Sequence, residues 1–570
     1  MTDLLDQRGS TSSSYGSPDG ERFTTHRVTN QVPPLDGYDP LACDPALVDA
    51  LNRGGAEVTD ELRGTAGLVG SAQAREHARL ANRNKPELHN WDQYGNRVDE
   101  VEFHPSWHWL MEASVRAGNT AAPWAPGAGP HAHSTRAASF YLMSQLEQGH
   151  CCPITMTYAV IPALRHNPEL AARYEPGLRS RIYSPGLAEP STKAGLLAGM
   201  SMTEKQGGSD VRSGTTLAKP QPDGSYRLVG HKWFTSAPMN DVFLTLAQAP
   251  DGLTCFVLPR VLPDGSHNPI RFQRLKDKLG NQSNASAEVE YQDAVGWRLG
   301  DEGRGVRTII DMVTMTRLDC VLGSAAIMRI ALSEAAHHAA HRSAFGRRLA
   351  EWPLMQAVLA ELAVESEAST RLALRLAGAI DRTQSAGGGS ADESALLRLA
   401  LPVTKYQVCK RTSAVVAEAQ EALGGNGFVE ESQLPRLYRE APLNSIWEGS
   451  GNVTALDALR AINRSPESVP AVLAEIELAT GESAAFDACV GELRAELAAP
   501  TERGARRLAE LTAACLQGSL LLRHAPAEVA EVFLASRFGG AGPFRTAGTH
   551  TASDQAIAAV LDRVTPGLTG

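Results

Sequence analysis

The chain contains no C-x-x-C pair, and its eight cysteines are scattered through 570 residues. Cys151 and Cys152 are adjacent, a poor arrangement for a disulfide with each other, so the thiols read as reduced in a cytoplasmic protein. No stretch reaches the roughly 20 apolar residues of a membrane-spanning helix, and no membrane partner is expected. Basic residues are not in excess. The formal net charge of −10 gives no global attraction to nucleic acid or anionic lipid, so any such role must rest on a local patch. The opening stretch MTDLLDQRGSTSSSYGSPDG lacks the basic start and apolar core of a signal peptide. Its Ser and Gly content suggests a disordered tail over 1–34. No G-x-G-x-x-G follows a strand, and Walker A, H-E-x-x-H and G-x-S-x-G motifs are missing. The sixteen histidines do not group as ligands, and AHHAAH (336–341) reads as a helix face. No metal site is expected.

What is present suits several packed units. Apolar residues make up 43% of the chain and charged residues 21%, enough for three or four cores at this length. Residues 35–198 read as mostly helical, with apolar residues at helical spacing in DPALVDALNR and HPSWHWLMEASVRAG. Over 199–300 the texture changes to short β-like runs such as SYRLVGHKWFTSA and LTCFVLPR, with PDGS turns occurring twice. This segment reads as a small antiparallel β-domain. Long amphipathic patterns return over 301–465, where Leu318, Val321, Leu322, Ala325, Met328 and Leu332 step by three or four. A four-helix bundle is expected there. Residues 466–570 form a further helical extension, with loops at TQSAGGGSADE and RFGGAGPFRTAG interrupting the helical texture before and within it. The fold class is therefore α+β, mainly α.

Four stretches carry candidate chemistry. In MTEKQGGSD (202–210), Thr203 and Ser209 offer hydroxyls, and Gly207 and Gly208 allow backbone N–H groups close to an anion. Standing alone, it reads as an ordinary polar turn. GHKWFTSA (230–237) puts Trp233, Phe234, Thr235 and Ser236 on a strand. Alternation sends Phe234 and Ser236 to one face, where a ring and a hydroxyl can meet a flat heterocycle. A core strand with a satisfied hydroxyl fits as well. HRSAFGRRL (341–349) offers Arg342 and Phe345 for a phosphate and an adenine, or simply a solvated helix end. SIWEGSGN (445–452) sets Glu448 between Trp447 and Gly449, a surface turn or a catalytic base.

Together with EALGGNGF (421–428), these stretches resemble the acyl-CoA dehydrogenase superfamily in order and spacing, from about residue 35 to 464. MTEKQGGSDV, YRLVGHKWF, RLKDKLGNQSNAS, QLPRLYRE and NSIWEGSGN are similar to its AidB-like branch, flavoproteins linked to the adaptive response to DNA alkylation. The resemblance implies a helical N-terminal domain, a middle β-domain, a helical bundle, and FAD between the last two. It implies that Thr203 and Ser209 contact flavin and pyrophosphate, that Phe234 lies beside the isoalloxazine ring, and that Ser236 lies near N5. Met202 and Thr235 join that cofactor-binding set, as do Ser450 and Asn452 after the base. Arg342 and Phe345 are implied to reach FAD in a neighbouring subunit, which makes a homotetramer, a dimer of dimers, the expected assembly. Two positions depart from the family pattern. Glu421 stands where Gln is usual, and would repel a pyrophosphate. Ser236 stands where Thr is usual.

The chemistry implied is removal of a proton alpha to a thioester carbonyl by Glu448, with hydride passing to flavin N5. Burial against Trp447 would raise the carboxyl toward working pH. Short branched acyl-CoAs are the implied substrates, turned over weakly. Double-stranded DNA is the implied partner of the C-terminal helical region. There Arg460 and Arg464 share a helix face, and Arg503, Arg506 and Arg507 lie in ERGARR. Residues 467–570 hold eight Arg, no Lys and thirteen Asp or Glu, so any DNA site there is a patch on an acidic background. Two alternatives stay open: flavin-dependent oxidation of another small carbon acid without DNA binding, and a DNA-binding protein with a structural flavin.

Overall fold

The computed structural model describes residues 25–384, 389–538 and 547–564. Most of the expected N-terminal tail (1–24), the centre of TQSAGGGSADE (385–388), most of RFGGAGPFRTAG (539–546) and 565–570 lie outside the described residues.

Helices open the chain: α1 (Pro45–Arg53), α2 (Asp60–Val69) and α3 (Ala72–Arg83). Each starts on a side-chain cap. Asp44, Thr59 and Ser71 accept from the backbone N–H three residues on, which satisfies donors no helical carbonyl can reach. A hairpin follows, β1 (Glu87–Trp91) and β2 (Arg97–Glu102). The sequence reading of this region as mostly helical did not resolve it. Its turn is closed by the Asp92 carboxylate, which accepts from Tyr94 N and Asn96 N, both at 2.8 Å. Asn90 Nδ2 donates to Phe272 O at 2.8 Å and ties the hairpin to the sheet beyond. Helices α4 (Pro105–Arg116), α5 (Ala132–Leu146), α6 (Cys151–Leu164) and α7 (Pro168–Leu178) complete the first unit.

The middle unit holds β3 (Ala198–Ser201), β4 (Leu217–Pro220), β5 (Tyr226–Ser236), β6 (Val242–Ala249), β7 (Gly252–Pro259), β8 (Ile270–Leu275) and β9 (Ser286–Leu299). The order is β3-β6-β4-β5-β9-β7, with β8 on β9, and β7 also pairs with β6, so the sheet curls back on itself. Tyr226, Leu228, Phe256, Phe272, Val289 and Tyr291 fill its interior. Most pairs are antiparallel, as expected, and two are not. β3 runs parallel to β6, and β4 meets β6 in parallel at Leu217–Gln248. Parallel neighbours need a long connection, and the chain between β3 and β6 includes the MTEKQGGSD loop and two further strands.

Three long helices follow: α8 (Gly305–His341), α9 (Pro353–Thr383) and α10 (Ala391–Ala422). Helix α8 is buried on nearly every face through its middle and end, as a helix packed on all sides must be. At about 1.5 Å per residue it spans roughly 55 Å. Helix α10 starts on Ser390, which caps Glu393 N. Short α11 (Gly425–Phe428) and α12 (Leu434–Glu440) lead to the fourth bundle helix, α13 (Gly451–Arg464). The extension adds α14 (Ser468–Glu477), α15 (Ala484–Ala498), α16 (Ala505–His524), α17 (Ala527–Arg537) and α18 (Asp554–Leu561). Buried ion pairs fasten it to the bundle. Arg537 reaches Glu361 and Glu365, and Glu475 takes both Arg375 and Arg523.

Candidate active site

Glu448 sits in the turn between α12 and α13 with φ +55°, and Gly449 follows at φ +103°. A non-glycine residue in this left-handed region is uncommon, and it persists where its surroundings over-determine it. They do so here. Lys405 Nζ, from α10, donates to Trp447 O at 2.8 Å and also to Gly449 O. Arg317 Nε, from α8, donates to Glu448 O at 3.1 Å, and Arg317 pairs with Asp457. Trp447 Nε1 donates to Asn444 Oδ1 at 2.8 Å. The carboxylate itself accepts from Thr316 Oγ1 at 2.6 Å. Removal from bulk water raises its pKa, partly offset by the Thr316 hydrogen bond and the Arg317 and Lys405 cations. That net upward shift is what a general base near neutral pH requires. Trp447 lies partly buried against the main core, next to Glu448 in the same turn.

The MTEKQGGSD loop is pinned to the sheet by Glu204. Its buried carboxylate accepts from Thr215 N at 2.7 Å, Thr216 Oγ1 at 2.6 Å and Lys232 Nζ at 3.0 Å. A Cβ on Gly208 would stand 2.4 Å from Thr203 Oγ1, so the close approach of loop and threonine needs glycine. Met202 packs against the core. On β5, Phe234 is 51% exposed and Ser236 is partly buried, while Thr235 turns inward and pairs with Ser201 Oγ at 2.5 Å. The strand bulges between Lys232 and Thr235, which re-aims these side chains.

Cys152, near the start of α6, joins the two sides. Its thiol lies in hydrogen-bonding reach of Ser236 and in the field of Lys278 and Glu448, and burial pushes it up to about 12. Below it, Glu147 accepts from Gly149 N, His150 N and Nδ1, Asn82 and Ser283. Thr316, Arg317, Lys405, Cys152 and Lys278 are residues the sequence reading did not single out. The sequence carried no signal for the first three, because their contacts to this turn cross 42 to 132 residues.

The matches to known proteins follow the same three units. The family described as adaptive response protein AidB N-terminal domain matches residues 30–185. The acyl-CoA dehydrogenase middle domain matches 199–294, and the acyl-CoA dehydrogenase C-terminal domain matches 303–462. AidB of Escherichia coli (strain K12) is 46% identical over 90% of this chain and 94% of its own length. Acyl-CoA dehydrogenase family member 11 of Caenorhabditis elegans is 31% identical over 80% of this chain and 76% of its own. The crystal structure of C. elegans ACDH-11 in complex with C11-CoA superposes with a TM-score of 0.81 at 27% identity, covering 96% of this chain and 95% of that one. The chain belongs to the acyl-CoA dehydrogenase family, in its AidB-like branch.

As a family member it is an FAD-dependent, acyl-CoA dehydrogenase-like oxidoreductase. The residues present fit FAD. Phe234 offers an open aromatic face, and Leu279 and Ile446 on neighbouring loops are 65% and 62% exposed. Among the described residues, the hydroxyls of Thr203, Ser209 and Ser450 have no protein hydrogen-bond partner and are free to donate to a ligand. Asn452 accepts from Arg506 Nε at 2.8 Å, so an arginine of the extension reaches the end of the Glu448 loop.

The remaining sequence candidates fall elsewhere. Arg342 caps α8 and donates to Asn30 O, and Phe345 is 94% exposed at φ +54°. Neither lies in the Glu448 loop. Glu421 is exposed at the end of α10 and, with burial, raises the carboxyl of Glu418. Arg460, Arg464 and Arg503 are exposed. Arg507, half exposed, pairs with Glu492 and Glu496. No group of three or more metal-binding side chains occurs among the described residues, nor does any helix long and apolar enough to cross a membrane.

Proposed function

We propose that this chain dehydrogenates a short acyl thioester, with Glu448 as the α-proton base. Bound FAD supplies the hydride acceptor. The observation that carries the reading is the Glu448 carboxylate, fixed by Thr316 and raised by burial on a strained turn. Thr203, Ser209, Phe234, Ser236, Ser450 and Asn452 hold the cofactor, with Met202 and Thr235 supporting them through the backbone and the core. The ACDH-11 complex with C11-CoA supports an acyl-CoA substrate. So does a cleft of about 610 Å³ at the start of α8, lined by Arg212, Arg304, Arg307 and Ile310. Its cations suit the phosphates of a CoA carrier. Anaerobic addition of isovaleryl-CoA to the FAD-loaded protein tests the reading. Bleaching of the flavin band is expected, and an unchanged spectrum with every short acyl-CoA tried would reject it.

Duplex DNA binding in an alkylation response is the second part of the proposal. It is supported by Arg460 and Arg464, exposed four residues apart on α13, and by the match to the adaptive response protein family. Homotetramer formation is supported by Phe345, Leu354 and Phe428, large apolar side chains 94%, 84% and 80% exposed, which a partner subunit would cover.

A further inference from the structure

We propose that Lys278 is a positioning residue for the flavin, its ammonium ion backing the Ser236 hydroxyl through Ser286. This rests on the cofactor placement given above. Lys278 lies in the loop between β8 and β9, and that loop is held to the protein along its length. A Cβ on Gly280 would stand 2.4 Å from Arg439 O, so the loop presses onto α12. Asn281 N donates to Glu440 Oε1 at 2.6 Å, and Ser283 Oγ donates to Glu147 Oε1 at 2.7 Å. These contacts leave Lys278 Nζ pointing inward, where it donates to Asn284 O and, at 3.2 Å, to Ser286 Oγ. Ser286 Oγ is 3.5 Å from Ser236 Oγ on the paired strand.

The charge environment makes this cation unusual. Burial disfavours it, and the groups facing it are Cys152 on α6, Glu440 on α12, Lys85 before β1 and Glu147 at the end of α5. None of the carboxylates forms a direct ion pair with it among the described residues. The net effect lowers Lys278 to about 8. A cation held at such a position without a paired carboxylate favours any neighbouring group that gains negative charge. A flavin beside Ser236 gains electrons on reduction, so Lys278 should favour the reduced form and be protonated more strongly by it.

Anaerobic redox titration of the FAD-loaded protein from about pH 6 to about pH 9.5 tests the proposal, with native protein, Lys278→Met and Lys278→Arg compared. Linkage sets the sign. Below the oxidised-state value Lys278 is charged in both redox states. Above it, reduction takes up an extra proton, so the native midpoint potential should fall more steeply from near pH 8 upward. Lys278→Met should keep its FAD, show a lower potential at pH 7, and lose the steeper section. Lys278→Arg should restore the potential at pH 7 without the steeper section. Coincident curves for native protein and Lys278→Met, both with FAD bound, would overturn the proposal while leaving the base assignment intact. If Lys278→Met does not hold FAD, the native curve decides: a bend near pH 8 supports the role, and a straight line overturns it. Failure of the native chain to take up FAD would reject the cofactor placement itself.

Discussion

At the scale of single residues, the proposed chemistry depends on how one carboxyl is kept ready. The sequence marks Glu448 by setting an acid between an aromatic residue and glycines, and the family resemblance implies the base role proposed for it. What keeps it there was not legible. Thr316 is 132 residues away and Lys405 is buried in a helix whose sequence reads as core. Because burial holds Glu448 above the ordinary carboxylate range, kcat/KM should rise with pH to a plateau whose midpoint lies above that range. Thr316→Val removes a hydrogen bond that favours the ionised form, so it should move that midpoint further up. A pH–rate profile of each protein checks both. Glu421 makes a separate residue-scale test. If it faces a pyrophosphate, Glu421→Gln should tighten FAD binding several-fold in a fluorescence titration, and unchanged affinity would show that the carboxylate is remote.

At the scale of elements, periodicity located the long helices and alternation located the main strands. It failed where local pattern says little. The β1–β2 hairpin is short and polar, with Glu87, His89, Asn90, Arg97, Asp99 and Glu100 among its residues, so it carries little of the apolar alternation that marks a strand. The parallel pairing of β3 with β6 is a long-range choice that no local window contains. The junction of α5 and α6 is the element on which the site rests. Glu147 and His150 form a fully buried pair at 3.0 Å, extended by Ser114 on the far imidazole nitrogen. Burial alone would push His150 down and Glu147 up. Cys151 and Glu147 hold the imidazole above its ordinary value, and His150 holds the carboxyl below its own. The pair's stabilisation is therefore full between the ordinary glutamate and histidine values. It is lost as pH falls through the folded Glu147 value or rises through the folded His150 value. Breaking a buried pair on one side costs about 3–5 kcal/mol, so Glu147→Gln should lower stability by that order at about pH 6, read by denaturant unfolding. The start of α8 offers a kinetic test. Arg307→Glu should raise KM for an acyl-CoA and leave kcat nearly unchanged, because the cleft is proposed to hold a part of the substrate that does not react.

At the scale of the whole molecule, composition excluded a strongly basic protein but left room for a basic patch. Among the candidates for that patch, Arg506 donates to Asn452 and Arg507 pairs with Glu492 and Glu496, while Arg460 and Arg464 stand exposed on α13. Replacing Arg460 and Arg464 with alanine should weaken duplex binding on any sequence and reduce the salt slope by about 2. An unchanged slope would remove α13 from the DNA surface. The exposed Phe345 should be buried in the assembly. Phe345→Asp is expected to shift the sedimentation profile to smaller species.

The most direct test of the base assignment is hydrogen exchange at the α-carbon of isovaleryl-CoA in deuterated buffer, followed by mass spectrometry with the FAD-loaded protein. Native protein should incorporate deuterium. Glu448→Gln, with FAD bound at the same stoichiometry, should slow incorporation by about 10²–10⁴-fold. Incorporation at the native rate in Glu448→Gln would mean that another group removes the proton.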